Sequence, residues 1–253
     1  MQSSIIGTIL PVLNVSLDPG EVLLSETGEL SWKSPNVSLR TGIGGGGAGG
    51  FLGAIKRSLG GGGLFMTEYV AEGGPGFVAL AAKIPGHIEE HAVQPGRSYL
   101  VHRHGFLCGT AGIALSVALQ RSLGAGIFGG DGFLLQQVAG QGRFWVELGG
   151  EIVSHTLGSG EQIDVHPGHI GMFEDSVRFE ITMLPGIRNK LFGGDGFFLA
   201  RLTGPGRIWL QTLTLPNLAH ALSPYLGGAG PVAGAEAGAA AGIAGQLIRK
   251  VFE

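Results

Sequence analysis

Apolar and polar residues alternate in short runs along much of the chain. In the segment RFWVEL, residues 143–148, every second residue from Phe144 onward is apolar, while Arg143 and Trp145 occupy the other side. Side chains on a β-strand point alternately to its two faces, so this pattern predicts a strand with one buried face. Trp145 would then lie on the polar face, and we hypothesise that it forms a contact between units or subunits together with Arg143. The alternative is that this tryptophan only covers the end of its own β-sandwich.

The same pattern returns 64 residues later in the chain. Residues 192–211, FGGDGFFLARLTGPGRIWLQ, match residues 128–147, FGGDGFLLQQVAGQGRFWVE, and a weaker copy lies at 64–81. Arg207 and Trp209 fall at the positions of the first arginine and tryptophan. They are therefore interface candidates on the same argument.

A second element also recurs and begins with an apolar run followed by a Pro-Gly or Ser-Gly turn; its copies lie at 15–30, 91–106 and 155–170. Self-similarity at a nearly fixed spacing is typical of tandem structural units. We predict an all-β chain of three small β-roll or sandwich units at 12–85, 88–150 and 152–216, followed by a glycine- and alanine-rich tail at 217–253. Strand-like runs flank turns such as 203–206, which predicts that both elements are β-hairpins. Residues 113–124 fit either a helix or a strand.

The composition agrees with many short strands joined by tight turns. Glycine accounts for 49 of 253 residues, 44% of residues are hydrophobic and only 14% are charged. The net charge is −3 and no run of lysine or arginine exists, so the sequence offers no electrostatic basis for binding nucleic acid. A single cysteine excludes an internal disulfide framework. The first residues lack a basic segment and a long apolar run, so we expect a cytoplasmic protein.

The segment GGDGFFLARLTGPGRIWLQTL carries a resemblance to a known family. Together with its earlier copy and the Pro-Gly turns, it resembles the altered-inheritance-of-mitochondria twenty-four family, which has bacterial members of unknown function, over about residues 12–216. The resemblance implies three double-stranded β-helix units with pseudo-threefold symmetry, similar to the subunit of the tryptophan RNA-binding attenuation protein, which forms rings. Three units per chain then imply a homotrimer that closes into a ring. The resemblance supplies no catalytic residue. The aligned positions Glu21, Arg97 and Glu161 differ in charge, so RNA binding is not carried over.

Histidines provide the candidates for metal chemistry. His102 and His104 flank one residue, as two histidines do in the first cupin motif, and cupins share the double-stranded β-helix; the glutamate expected soon afterwards is missing. The segment HIEEH, residues 87–91, matches a zinc signature in its letters. The neighbouring Pro-Gly pairs predict a strand there, and residues four apart on a strand lie about 13 Å apart, too far to share one ion.

The sequence offers no arranged nucleophile, and the Gly-x-Gly-x-x-Gly matches at 42–47 and 124–129 are expected by chance at this glycine content. We therefore expect a non-enzymatic protein, without a cofactor, that forms a ring and scaffolds or binds a partner. One alternative is a cupin-like metal-binding protein that uses His102 and His104. A second alternative is a membrane-associated oligomer, because glycines four residues apart at 230–242 would form a smooth ridge on a helix. A flexible tail explains the same residues without a membrane.

Overall fold

The computed structural model describes residues 1–42, 66–121, 133–183 and 198–225. Within these ranges the chain is mostly β-structure with one short α-helix, α1, at Leu215–Leu222. The strands, in chain order, are β1 Gln2–Ile6, β2 Val12–Leu17, β3 Val22–Glu26, β4 Trp32–Lys33, β5 Val37–Gly42, β6 Met66–Ala71, β7 Gly76–Ala81, β8 Gly86–Val93, β9 Tyr99–His102, β10 Phe106–Thr110, β11 Ile113–Arg121, β12 Phe133–Gly140, β13 Gly142–Gly149, β14 Ile152–Leu157, β15 Gln162–Val165, β16 Ile170–Glu174, β17 Arg178–Met183, β18 Phe198–Thr203 and β19 Gly206–Gln211. The all-β class predicted from the alternation is confirmed.

The strands form four antiparallel sheets. Sheet I has the order β1-β2-β7-β4, sheet II β5-β6-β3-β10-β13-β8, sheet III β11-β12-β9-β16-β19-β14, and sheet IV β15-β18-β17. Residues 113–121, which fit either a helix or a strand by pattern, form β11 and pair with β12. The glycine motif at 124–129, the motif at 42–47 apart from Gly42, and the tail from 226 onward lie outside the described residues.

Three hydrophobic clusters join the sheets in the order I, II, III, IV. The cluster between sheets I and II contains, among others, Leu13, Val15, Val78, Leu23, Tyr69 and Trp145. The cluster between sheets II and III contains, among others, Phe144, Val146, Leu148, Val101, Met172 and Trp209. The cluster between sheets III and IV contains, among others, Leu135, Phe173, Ile208, Val165, Ala200 and Leu202. Sheets II and III therefore have apolar packing on both faces.

The hairpins predicted from the turns are wrong. β18 and β19 flank the turn at 203–206, but β18 pairs with β15 and β17 in sheet IV, whereas β19 pairs with β14 and β16 in sheet III. β2 and β3 likewise flank the turn at 18–21 and lie in sheets I and II. A turn residue dictates where the chain changes direction, but it does not dictate which strand the next segment pairs with. These turns carry the chain across a cluster to the next sheet.

One register recurs in sheets I, II and III. The first residue of β7, β13 and β19 is a glycine that pairs with the last residue of β2, β8 and β14; the pairs are Gly76–Leu17, Gly142–Val93 and Gly206–Leu157. Gly206 has φ +145°, and a Cβ atom there would lie 2.6 Å from Ser176 Oγ. Only glycine meets both requirements, the positive φ and the close approach. The glycines of the sequence pattern therefore mark strand starts.

Candidate functional site

Trp145 joins sheet II to sheet I. It lies on β13, its side chain is fully buried, and it packs in the cluster between these two sheets. The Arg143 Cζ atom lies 5.4 Å from the centroid of the Trp145 ring, which is within the range of a cation–π contact. Arg143 Nη1 also lies 3.4 Å from Glu90 Oε1, and its Nη2 donates a hydrogen bond to the Met1 carbonyl. The arginine thus covers the tryptophan and connects β13 to β8 and the start of the chain.

Trp209 joins sheet III to sheet II in a group of four rings that we call the aromatic cluster. Its members are Trp209 from sheet III, Tyr99 from the same sheet, and His91 and Phe144 from sheet II. The His91 and Trp209 rings meet edge to face with centroids 5.2 Å apart, and the centroids of Tyr99 and Phe144 are 5.3 Å apart. Both spacings are favourable for aromatic pairs. The Arg207 Cζ atom lies 4.8 Å from the Trp209 ring centroid.

The expectation that the tryptophans lie on a polar strand face is wrong. Every residue from 144 to 149 is buried, because β13 lies between two hydrophobic clusters rather than between a core and solvent. Glu147, which made that face look polar, is itself buried and accepts hydrogen bonds from the backbone N–H groups of Lys83 and Ile84. The alternation identified the two faces correctly, but it could not reveal that a second sheet covers the outer one.

Polar contacts fix the rim of the aromatic cluster. His91 Nε2 lies 3.2 Å from Glu89 Oε2, and this contact, with a smaller effect from Arg207, lowers the pKa of the Glu89 carboxyl. Arg207 Nη2 donates to Ser154 Oγ at 3.1 Å, and its backbone N–H donates to Glu174 Oε2 at 2.9 Å. The arginine over Trp209 is therefore held by strands β14 and β16 on either side of β19.

His102 and His104 lie close together, but their contact is not the arrangement of two metal ligands. His102 Nδ1 accepts a hydrogen bond from the backbone N–H of His104 at 3.3 Å, so this nitrogen is engaged by the main chain. His102 Nε2 is buried and has no hydrogen-bond partner in the part of the chain that the structure describes. Burial, with a smaller effect from His104, lowers the pKa of His102 to about 3, so the ring is neutral at physiological pH.

His87, His91 and His169 have structural partners. His87 and His91 lie on strand β8, which confirms that HIEEH does not form the helical turn required by the zinc signature. His87 Nδ1 lies 2.8 Å from the Gly150 carbonyl oxygen, and His169 Nδ1 lies 2.8 Å from that of Gln211. Across the described ranges, no three His, Cys, Asp or Glu side chains are placed so that they could hold a metal ion.

Three buried or half-buried carboxylates near Lys83 were not anticipated from the sequence. Glu29 forms an ion pair with Lys83, Glu147 accepts from its backbone N–H, and Glu26 accepts a hydrogen bond from Gln136 Nε2. Burial is the main cause that raises the pKa of both Glu26 and Glu147. The carboxylates and Lys83 come from three distant segments, at 26–29, 83 and 147, so spacing along the chain could not group them.

Cys108 lies in the cluster between sheets I and II and is buried. Burial raises the pKa of its thiol well above the ordinary value, so the thiolate needed for nucleophilic chemistry is disfavoured. Among the described residues, no helix combines the length and the apolar character that a membrane crossing requires.

These features define a class of protein built from stacked antiparallel sheets in which arginine-covered tryptophans join one sheet to the next. The chain belongs to the family described as Mitochondrial biogenesis AIM24, whose model matches residues 3–213. This agrees with the family resemblance drawn from the repeated segments.

The chain is also similar to streptococcal proteins. An uncharacterized protein of Streptococcus pyogenes serotype M6 is 27% identical over 220 residues, which cover 85% of this chain and 87% of that protein. A crystal structure of a Streptococcus pyogenes protein superimposes with a TM-score of 0.70 at 24% identity and covers 89% of this chain and 99% of that one. At this identity the likeness concerns the fold alone.

Proposed function

We propose that this protein is a non-enzymatic scaffold or binding protein whose chains close into a homotrimeric ring, and that it acts in the cytoplasm without a cofactor. Each chain would contribute three tandem β-helix-like units, at 12–85, 88–150 and 152–216, related by pseudo-threefold symmetry. A subunit with two complementary ends closes into a ring when the rotation between copies permits it. Such a ring would be similar in plan to that of the tryptophan RNA-binding attenuation protein.

The observation that carries this proposal is the recurring register. β2 and β7, β8 and β13, and β14 and β19 pair in the same way, each with a glycine opposite the last residue of its partner. The bulge between β10 and β13 also recurs 64 residues later between β16 and β19. Pairing geometry repeated in this detail supports three copies of one unit. RNA binding is not proposed, because the chain has a net charge of −3.

The interface candidates take a defined role in this proposal. Trp145 and Trp209, with Arg143 and Arg207 over their rings, would be the contacts that join one unit to the unit before it. Their support is that each tryptophan lies in a cluster shared by two sheets rather than within a single sheet. Buried aromatic residues covered by arginine are typical of contacts that provide much of an interface's free energy.

The environment of the titratable side chains favours a structural role over catalysis. Burial keeps His102 neutral, Glu147 accepts two backbone hydrogen bonds, and Glu29 pairs with Lys83. A catalytic group needs a pKa near the working pH and access to substrate. Each of these groups instead satisfies a neighbouring part of the fold.

Light scattering coupled to size-exclusion chromatography tests the proposal. The full chain should elute at about three times its mass of 26.0 kDa at micromolar concentration. A monomer, or an oligomer whose subunit number is not three, would contradict the homotrimer.

The cupin-like alternative depends on one observation, the buried and unpartnered Nε2 atom of His102. A metal at this atom would need further ligands, and His104 contacts His102 through its backbone N–H. Elemental analysis of the purified protein distinguishes the two functions. One equivalent of a transition metal per chain, lost in a His102→Gln variant, would favour the metal site over the scaffold.

A further inference from the structure

Sheets II and III are each built from two half-sheets that come from different parts of the chain. In sheet II the half β5-β6-β3 meets the half β10-β13-β8, and the joining strands are β3 and β10. In sheet III the half β11-β12-β9 meets the half β16-β19-β14, and the joining strands are β9 and β16. The six-stranded sheet is thus the complete form.

Sheets I and IV correspond to the two halves left over. Sheet IV, β17-β18-β15, has the order of the first kind of half and ends at β15, while sheet I contains β4-β7-β2, the second kind, and ends at β4. Both edges lack a neighbouring strand within the described ranges. Within the described ranges these two edges are not paired with each other, and no hydrophobic cluster is shared by sheets I and IV.

We propose that β15 of one protomer pairs antiparallel with β4 of the next, so that sheets IV and I become one sheet at each junction of the ring, with the six-strand order of the complete sheets and β1 as a seventh, outer strand. This inference rests on the proposed ring and specifies its contact strands. The complete sheets also specify the register: Cys108 pairs with Ser25 in sheet II, and Met172 pairs with Val101 in sheet III.

Transferring this register places Trp32 opposite Val165 of the neighbouring protomer. Trp32, Cys108 and Met172 occupy equivalent positions in sheets I, II and III. Each pairs with the residue three positions after the glycine that starts β7, β13 or β19, namely Ala79, Trp145 and Trp209. Val165 follows Val101 by the same 64 residues that separate the two copies of the long segment. The next pair along the strands is then Lys33 opposite Asp164.

Trp32 gives this junction its residue-level support. Cys108 and Trp145 pair across two strands of sheet II, and Met172 and Trp209 pair in the same way in sheet III. Each of these cross-strand pairs therefore contains one tryptophan. The matching pair in sheet I is Trp32–Ala79, in which the tryptophan stands on the other strand. Trp145 and Trp209 are at most 4% exposed, but Trp32 is 50% exposed in the protomer. The cross-strand pair in sheet I therefore also contains a tryptophan, Trp32, but the described part of a single protomer does not bury it.

The cluster that would bury Trp32 lies on the neighbouring protomer. Cys108 and Trp145 face the cluster between sheets I and II, and Met172 and Trp209 face the one between sheets II and III. By the same relation Trp32 would face the cluster between sheets III and IV of the next chain, which contains Val165. Lys33 and Asp164 carry opposite charges, and opposite charges directly across two strands are favourable. Asp164 already pairs with Arg201 of its own chain, so Lys33 would join an existing ion pair. A second copy of this chain is the occupant that matches the strand order, the apolar contact and the charges together.

A disulfide between protomers tests the register. Directly opposed residues on antiparallel strands have Cα atoms about 4.5–5.5 Å apart, which is within the range of a disulfide. We expect Lys33→Cys combined with Asp164→Cys to give covalent dimers and trimers under mild oxidation, on non-reducing gels. The matched control, Lys33→Cys with Gln162→Cys, is two residues out of register and should crosslink far less. Cys108 is buried and does not compete.

A second variant tests the apolar contact. Burying the exposed half of Trp32, about 100 Å², corresponds to about a 100-fold change in the dissociation constant of one junction. Trp32→Ala should therefore dissociate the assembly at concentrations where Leu39→Ala, a change at a similarly exposed residue on β5, leaves it intact. Circular dichroism verifies that both variants fold.

The outcomes separate this inference from the proposed function. A wild-type chain that is monomeric would overturn both. A trimer that fails to crosslink through positions 33 and 164, or that keeps its affinity in Trp32→Ala, would overturn the junction and leave the ring standing. A crosslink of equal yield in the out-of-register control would also overturn the proposed register.

Discussion

Trp209→Ala gives the sharpest test of the view that the tryptophans join successive sheets. Trp209 lies in β19 of sheet III and is 4% exposed, yet it packs in the cluster shared with sheet II. It also contacts His91 and Tyr99 in the aromatic cluster and lies under Arg207. The substitution removes all of these contacts at once and leaves the backbone of β19 able to pair as before.

The expected loss can be worked from the buried area. A tryptophan side chain buries about 200 Å², and at about 25 cal/mol per Å² this corresponds to about 5 kcal/mol as an upper value. Measured substitutions of buried tryptophan by alanine cost about 3–5 kcal/mol, and the spread reflects how far the surrounding structure relaxes into the cavity. We therefore expect Trp209→Ala to lower the free energy of unfolding by about 4 kcal/mol.

Urea unfolding at a fixed chain concentration measures this change, since unfolding of an oligomer depends on concentration. Trp209→Phe is the matched control, because it keeps a ring in the aromatic cluster and should lose less than half as much. If Trp209→Ala lowers the free energy of unfolding by less than about 1 kcal/mol, the tryptophan only covers the end of its own sheet and does not join sheets II and III.

Three further predictions concern other parts of the fold. Burial lowers the pKa of His102 from 6.5 to about 3, so between these two pH values the unfolded chain binds a proton that the folded chain does not. The free energy of unfolding should therefore fall by up to about 1.4 kcal/mol for each pH unit as the pH drops from 6.5 towards 3. In urea unfolding at a series of acid pH values, His102→Gln should flatten this slope, whereas His104→Gln should not. Lys83→Met removes the cation beside the buried carboxylate of Glu29 and should lower the free energy of unfolding in urea by about 1–3 kcal/mol, whereas Lys83→Arg keeps the charge and should lose less; equal losses in the two variants would contradict the charge argument. Gly206→Ala forces a side chain into a positive φ and against Ser176, so its melting temperature should drop by several degrees, while Gly74→Ala, which has open space around it, should melt within about a degree of wild type.

The strands were predictable because their signal is local. Alternation in 143–148, the glycines before Arg143 and Arg207, and the spacing of the two long copies all correspond to strand positions and strand starts. The pairing of the strands was not predictable from the same signals. A turn such as 203–206 reads alike whether the next strand returns to the same sheet or crosses to another, because the difference lies in contacts between residues far apart in the chain.

The environment of the candidate site was harder to predict than its residues. The sequence predicts Arg143, Trp145, Arg207 and Trp209 as interface candidates, which stays a prediction, and the polar pattern of their strand face suggests exposure. Glu147 accounts for that error, because a carboxylate bonded to two backbone N–H groups can be buried. Sequence pattern records the polarity of a residue and not whether the fold supplies its hydrogen-bond partners.

Trp32 escaped the repeat comparison for a related reason. The weaker copy at 64–81 has Ala79 at the position of Trp145 and Trp209, so the sequence pattern predicts no tryptophan contact in the first unit. In the structure Trp32 stands directly across from Ala79 on the neighbouring strand, so the pair still holds one tryptophan. Comparing paired strands rather than aligned positions would have found it, and that comparison requires the register.

The low charge of the chain makes its two unpaired strand edges, β4 and β15, important for its solubility. Only 14% of the residues are charged, against about 25% in typical soluble domains, and exposed strand edges without charges tend to associate with one another. At β15 the carboxylate of Asp164 is already paired with Arg201, and β4 presents the half-exposed ring of Trp32. Each edge carries one charged residue, Lys33 on the two-residue strand β4 and Asp164 on β15, which protects an isolated chain only in part. Closure of the proposed ring would pair each open edge with a partner of matching register, so in this protein assembly and protection from aggregation would be served by the same contacts.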